Sequence, residues 1–187
     1  TGSTPTINFA DGRSLVEQHI NPPKIELDAY TRDFLTNSFL IRKGDDYHFS
    51  HKSIMEYLVA VHFYEEIKQG SPETFGHVDL DNVILSFLGE FEPNHETLFR
   101  WLSSTKNKKG EGGPLLGRNV ATLLCRLDKD AFVGKDLSGM DLTRATLATA
   151  DLRSTKLDET ILRDASLYRA KLNKASLLKS VISNTRI

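Results

Sequence analysis

The sequence predicts a chain of mixed α and β structure in several domains, in which helices and a small hairpin precede a β-solenoid. Two observations carry this prediction. The first is a leucine that recurs every five residues from Leu137 onward. The second is a helix, hairpin, helix pattern between residues 28 and 67.

The solenoid prediction rests on the five-residue period that begins at Lys135. Helices repeat at about 3.6 residues and strands at 2, so a helix would not keep these leucines on one face. Each pentapeptide is therefore one unit of a solenoid. The third residue of the successive units is Leu137, Leu142, Leu147, Leu152, Leu157, Leu162, Leu167, Leu172, Leu177 and Ile182.

The first residue of each unit predicts how the interior is filled. It is small from Ala145 onward, as it must be if it shares a narrow interior with the leucine. Four such units that close a square use about twenty residues, and successive turns stack at about 4.8 Å. The repeat is similar to that of the pentapeptide-repeat family, whose consensus is A(D/N)LXX. The resemblance implies a right-handed quadrilateral parallel β-helix over residues 133–187.

The first part of the chain has the pattern of a winged helix. Asp28 is a candidate N-cap for a helix that continues to Asn37. The β-prone runs at 39–41 and 47–49 are joined by a loop that contains Gly44, which predicts a hairpin. A helix followed by a two-stranded wing is a winged-helix arrangement.

A second helix is predicted after the hairpin. Ser53 and Glu56 form a capping box. The apolar positions that follow predict its buried face: Ile54, Tyr57, Leu58 and Val61.

The segment at 47–63, YHFSHKSIMEYLVAVHF, resembles the end of the winged-helix subdomain of NACHT-type STAND NTPases. In that family the segment reads approximately aromatic-x-Phe-x-His-x-Ser-Phe-x-Glu-Tyr-hydrophobic-x-Ala. Ile54 stands where the family usually has Phe. The matching residues are Phe49, His51, Ser53, Glu56, Tyr57 and Ala60.

The resemblance implies a nucleotide-sensing role for His51. In that family the winged-helix histidine contacts the β-phosphate of ADP bound by the preceding ATPase module and helps to lock the resting state. A position beside a helix N-terminus suits such a contact, because free N–H groups there attract anions. The alternative is that His51 joins the helix cap and packs against Phe49.

The sequence lacks the phosphate-binding motif that ATP hydrolysis requires. It has no G-x-x-x-x-G-K-[ST] motif, and the Gly-rich stretch at 109–114 has neither that spacing nor the Lys-Ser/Thr that ends it. We therefore expect no enzymatic activity and no cofactor in this chain; ADP or ATP with Mg²⁺ is implied for the parent protein. His48, His51 and His62 match no zinc pattern, so no metal site is expected.

Three helices are predicted between the wing and the solenoid. They span 81–90, 94–103, with Asn94 as its cap, and 116–127, which would cover the open first turn of the solenoid. The predicted domains are thus 1–26, an opening tag remnant and the end of a helical subdomain; 27–70, the winged helix; 71–132, a helical connector and cap; and 133–187, the β-helix.

The composition of the chain indicates its cellular compartment and argues against some classes of partner. A single cysteine, Cys125, fits a reducing cytosol. No apolar run approaches the roughly 20 residues of a membrane span and no signal peptide is visible, so we predict a cytoplasmic protein without membrane contact. A solenoid that imitates duplex DNA needs an acidic surface along its length. Residues 135–187 hold ten basic and six acidic side chains, so we do not expect this solenoid to imitate DNA. Nucleic acid is not expected as a partner, because the helix after the wing has Glu56, Glu65 and Glu66 against two lysines and would repel phosphate.

These observations predict the regulatory and sensor or docking region of a STAND signal-transduction ATPase. Its partners would be another protein or an upstream ATPase module, and the open C-terminal end of the β-helix could pair with a second copy. Two alternatives stay open: a free-standing pentapeptide-repeat protein that acts on a topoisomerase, and a passive interaction scaffold. The outward residues proposed as the interaction surface are Arg153, Arg163, Tyr168 and Arg169.

Overall fold

The computed structural model describes residues 6–8, 40–43, 46–106 and 115–186. Its N-terminal part contains a three-stranded antiparallel sheet. The strands are β1 (Thr6–Asn8), β2 (Leu40–Lys43) and β3 (Asp46–Phe49), in the order β1-β3-β2. The predicted hairpin is confirmed. Strand β1 was not predicted. The predicted helix at 28–37 and the Gly-rich stretch at 109–114 lie outside the described residues.

Helix α1 (Lys52–Gln69) follows the hairpin, and the chain divides into two compact units within it, between Leu58 and Val59. The predicted cap at Ser53 is wrong, because the helix already includes Lys52, whose Nζ donates to Glu56 Oε1 at 2.6 Å. The glutamate is thus engaged by a lysine one turn before it.

The predicted buried face of α1 is also wrong. Tyr57 and Leu58 are exposed, whereas Ala60, Phe63 and Ile67 are buried in the core of the second unit. The reason is that apolar residues occur on more than one side of this helix, so their spacing does not select the side that is covered.

Three further helices form the connector: α2 (Asn82–Glu90), α3 (His95–Ser104) and α4 (Leu116–Leu127). The predicted cap Asn94 is confirmed, since its side chain accepts a hydrogen bond from the Thr97 N–H at 3.0 Å. Asp81 caps α2 in the same way. The buried side chains of these helices join one core with the β-helix, including Leu88, Leu98, Trp101, Leu102, Leu123 and Leu124.

A loop between α1 and α2 is held against α4. The buried Asn119 amide of α4 donates to the carbonyl oxygens of Phe75 and Val78 at 2.7 and 2.8 Å. Leu115 adds a backbone bond to the Gly76 carbonyl at 2.8 Å. These bonds fix the course of the chain into Asp79.

The C-terminal part is a parallel β-helix with twenty residues per turn, as predicted. Asp136 pairs with Lys156, and Lys156 pairs with Ser176, in parallel. The predicted inward leucines are buried from Leu137 to Leu167. Inward threonines are satisfied: Thr155 Oγ1 donates to the Phe132 carbonyl at 2.7 Å, so the narrow interior contains no polar group without a partner at that position.

Each corner of the β-helix has a residue with positive φ. A bond such as Ala145 N–H to the Leu142 carbonyl, 3.0 Å, closes the turn around it, and a positive φ at this place is what a type II turn requires. Glycine occupies only the first corners. The others are Arg144, Thr149, Ser154, Glu159, Asp164, Arg169, Lys174, Lys179 and Asn184.

Helix α4 covers the first turn of the β-helix, as predicted. Thr146 N–H donates to Thr122 Oγ1 at 3.0 Å, and Lys129 Nζ donates to the Ala148 carbonyl at 3.3 Å. Gly117 approaches the backbone of Asp141 so closely that a Cβ there would lie 2.2 Å from its carbonyl oxygen. The edge of the solenoid is thereby protected from other strands.

Candidate interaction surface

The β-helix has four outward faces, which we name by their inward residues. Face A contains Leu137, Leu157 and Leu177; face B contains Leu142, Leu162 and Ile182; face C contains Leu147 and Leu167; and face D contains Leu152 and Leu172. The parallel pairing of residues twenty positions apart defines this grouping.

The predicted interaction residues lie on three of these faces. Arg153 is on face D, Arg163 on face B, and Tyr168 on face C, with Arg169 at the corner that follows it. Arg153 and Arg163 are ten positions apart, half of one turn, so they point from opposite faces. The structure brings Tyr168 and Arg169 together and separates the other two.

Tyr168 is the centre of a cationic cluster. The residue is 38% exposed, and the guanidinium carbons of Arg169 and Arg186 lie 5.1 and 4.9 Å from the centroid of its ring, which is cation–π distance. Arg186 was missed in the sequence, although its offset of twenty from Ser166, its parallel partner, is the signal that places it here. We call Tyr168, Arg169 and Arg186 the Tyr168 cluster.

Arg153 forms an ion pair with the buried carboxylate of Asp151. Its Nε lies 2.8 Å from Asp151 Oδ1 and its Nη2 lies 2.8 Å from Oδ2, while Lys171 Nζ approaches Oδ2 at 3.5 Å. The Arg153 side chain beside it lowers the pKa of Asp151 to about 2. Arg153 is therefore paired within the fold, and its guanidinium is less available to a partner than that of an unpaired arginine.

Asp151→Asn is expected to flatten the acid side of the stability curve. Because the pKa of Asp151 is about 2 in the folded chain against an ordinary 3.8, its stabilisation is complete above about pH 4 and is lost as the pH falls toward 2. Urea midpoints between pH 2 and 6 measure this. The wild type should lose more stability over that window than Asp151→Asn, and Asp164→Asn at an exposed corner should behave like the wild type. Parallel curves for wild type and Asp151→Asn would contradict this role.

The comparison with known families fits this geometry. Residues 147–184 match the family model described as Pentapeptide repeats, in eight copies. The C-terminal domain is a pentapeptide-repeat β-helix. Its ladder begins earlier than the match, at Asp136. No curated protein and no solved structure matches the chain. Pentapeptide repeats suggest a protein-interaction scaffold.

The net positive charge of the pentapeptide β-helix comes from its later turns. Residues 135–154 hold three basic and three acidic side chains, whereas residues 155–186 hold seven basic and three acidic ones. The Tyr168 cluster lies in this basic part. A partner that binds here would therefore gain from negative charge.

The last described turn has exposed apolar side chains. Leu178 is 69% exposed, and Val181 and Ile182 are exposed as well. This is the end at which the sequence suggested pairing with a second copy, and that self-association stays a prediction.

His51 lies between the end of β3 and the start of α1. Its side chain is exposed, and its carbonyl accepts a hydrogen bond from the Ile54 N–H at 3.1 Å. The imidazole is therefore accessible to solvent at the first turn of a helix. Its nucleotide-sensing role stays a prediction.

In the part of the chain that the structure describes, no three His, Cys, Asp or Glu side chains are grouped so that they could hold a metal ion. None of the described helices is long and apolar enough to cross a membrane.

Proposed function

We propose that this chain is the regulatory region of a NACHT-type STAND signalling ATPase, in which the pentapeptide β-helix is the docking surface for a protein partner. The observation that carries the proposal is the accessible imidazole of His51 at the junction of a small antiparallel sheet and a helix, at the position where the family's winged-helix histidine stands.

The sheet supports this proposal. Winged helices carry a small antiparallel sheet, and here three antiparallel strands lie in the order β1-β3-β2. The last of them in the sequence, β3, ends at Phe49, three residues before α1 begins. The resemblance over residues 47–63 covers the same junction.

The Tyr168 cluster is the part of the β-helix that we assign to docking. Tyrosine and arginine are enriched among the residues that dominate protein interfaces, and here two guanidinium groups flank one exposed ring. In the proposed switch, a partner would bind the released state more tightly than the ADP-locked state and shift the equilibrium by that difference in affinity.

His51→Ala is expected to lower ADP retention in the full-length protein expressed from the native gene. Loss of one charge-assisted contact with a phosphate costs about 1.5–3 kcal/mol, which corresponds to roughly ten- to hundredfold weaker binding. Bound nucleotide is measured by denaturing the purified protein and separating the released ADP by chromatography.

His95→Ala is the matched control, because His95 is also an exposed histidine at the first turn of a helix. It should retain ADP like the wild type. Equal ADP content in His51→Ala and wild type would overturn the sensing role and leave the interaction scaffold as the function.

A further inference from the structure

A polar cleft of about 420 Å³ opens between the start of α2, helix α4 and the first turn of the β-helix. All of its lining lies in the second unit, residues 59–187. It is separate from the Tyr168 cluster and from His51. The lining residues are Asp79, Leu80, Asp81, Asn82, Leu85, Arg118, Asn119, Thr122 and Thr146.

Arg118 is the distinctive group in this cleft. Its side chain is only 18% exposed, and its Nη1 lies 2.6 Å from Asp79 Oδ1. This close ion pair lowers the pKa of Asp79, although the N–H bonds of the buried Nη1 are poorly aligned on the carboxylate oxygen. A hydrogen bond weakens as its angle departs from linear, so a ligand that offers a better aligned acceptor can compete with Asp79 for Arg118.

The cleft is built rather than incidental. The two hydrogen bonds of Asn119 hold the loop that leads to Asp79, and Thr122, one turn after Arg118 on α4, accepts a hydrogen bond from the N–H of Thr146. The volume is in the range of small-molecule sites, which are largely preformed.

The charges of the lining select the kind of ligand. The lining contains one guanidinium, Arg118, and two carboxylates, Asp79 and the helix-capping Asp81, so a dianion such as phosphate would meet two negative groups beside one positive group. A simple cation would compete with Arg118 for the Asp79 carboxylate and leave the guanidinium without a counter-ion. A ligand with one carboxylate and one ammonium group matches both signs, because guanidinium–carboxylate pairs form two parallel hydrogen bonds.

We propose that this cleft binds a free amino acid as its zwitterion, with the carboxylate on Arg118 and the ammonium group on Asp79. The Asp79 side chain is 53% exposed, so it can turn away from Arg118 and admit the ligand between them. One misaligned ion pair is then replaced by two ionic contacts. Leu80 and Leu85 line the same cleft and would receive an apolar side chain.

Isothermal titration of the whole chain with five probes tests the proposal: L-leucine, glycine, acetate, methylamine and inorganic phosphate. We expect saturable binding of L-leucine, weaker binding of glycine, and at least about tenfold weaker binding of acetate and methylamine, since each lacks one ionic contact. Phosphate or acetate binding as tightly as L-leucine would overturn the zwitterion assignment. So would the absence of saturable binding by either amino acid.

Variants locate the site and separate binding from folding. Arg118→Gln and Asp79→Asn should each weaken L-leucine binding by at least about tenfold, while thermal melts show whether each variant is folded. Arg126→Gln is the matched control, because Arg126 is on the same helix, is exposed, and bonds Ser86 Oγ at 3.1 Å instead. A folded Asp79→Asn variant that binds L-leucine like the wild type would overturn the assignment to this cleft. His51→Ala should leave the titration unchanged, so this test fails or succeeds independently of the proposed nucleotide switch.

Discussion

Leu157→Ala is expected to lower the free energy of unfolding by about 2–5 kcal/mol. Leu157 is completely buried in the middle turn of the β-helix. The turns on both sides are fixed by backbone bonds, from Leu157 N–H to the Ser176 carbonyl at 2.7 Å and from Leu137 N–H to the Lys156 carbonyl at 2.8 Å. Because the spacing of the turns cannot shrink, the cavity left by the side chain stays open.

Urea unfolding of the complete chain, followed by circular dichroism, measures this effect. Leu178→Ala is the control, since Leu178 is the neighbour of an inward leucine on the same face but is 69% exposed. It should change stability by no more than about 0.5 kcal/mol. Similar losses in the two variants would mean that the interior of the β-helix is not packed as described.

Gly117→Ala is expected to destabilise the chain by about 1–3 kcal/mol. The added Cβ would lie 2.2 Å from the Asp141 carbonyl oxygen, and neither backbone can rotate away as a flexible side chain would. The helix α4 must therefore move off the first turn. Gly117 is the second residue of α4, so the gain in helix propensity is smaller than the about 1 kcal/mol of a helix interior, and the loss should exceed it.

Gly89→Ala isolates that gain, because Gly89 is also in a helix but its nearest neighbour, Leu127 Cδ2, would be 4.0 Å from the new Cβ. It should raise the free energy of unfolding by at most about 0.5 kcal/mol, because Gly89 is the penultimate residue of α2 and the difference of about 0.5–1 kcal/mol holds for the middle of a helix. The two alanines thus have opposite expected signs in the same urea titration. If Gly117→Ala also stabilises the chain, the close approach of α4 to the β-helix is wrong.

The β-helix and its cap could be predicted because their signals are local and repeated. The leucine period states the turn length in every unit, and the ends of α4 at Leu116 and Leu127 follow from one apolar stripe. Likewise, a polar side chain before an apolar run was sufficient to identify the cap at Asn94.

Other features depend on contacts that no short window of sequence contains. The three residues of β1 become a strand only by pairing with β3, about forty positions later. The buried side of α1 is set by the connector that covers it, not by its own spacing. Arg118 and Asp79 define a cleft only because the loop fixed by Asn119 places them together. The residues that line this cleft form no motif in the sequence, so the sequence did not predict the cleft.

The corners of the β-helix have a consequence for how such a domain can change over generations. Seven different polar residue types already occupy corners at positive φ, so the outer surface can vary freely by substitution. A single inserted residue, however, would turn every later leucine outward. Change in length must therefore come in whole pentapeptides, and change that keeps each face in register must come in blocks of twenty residues.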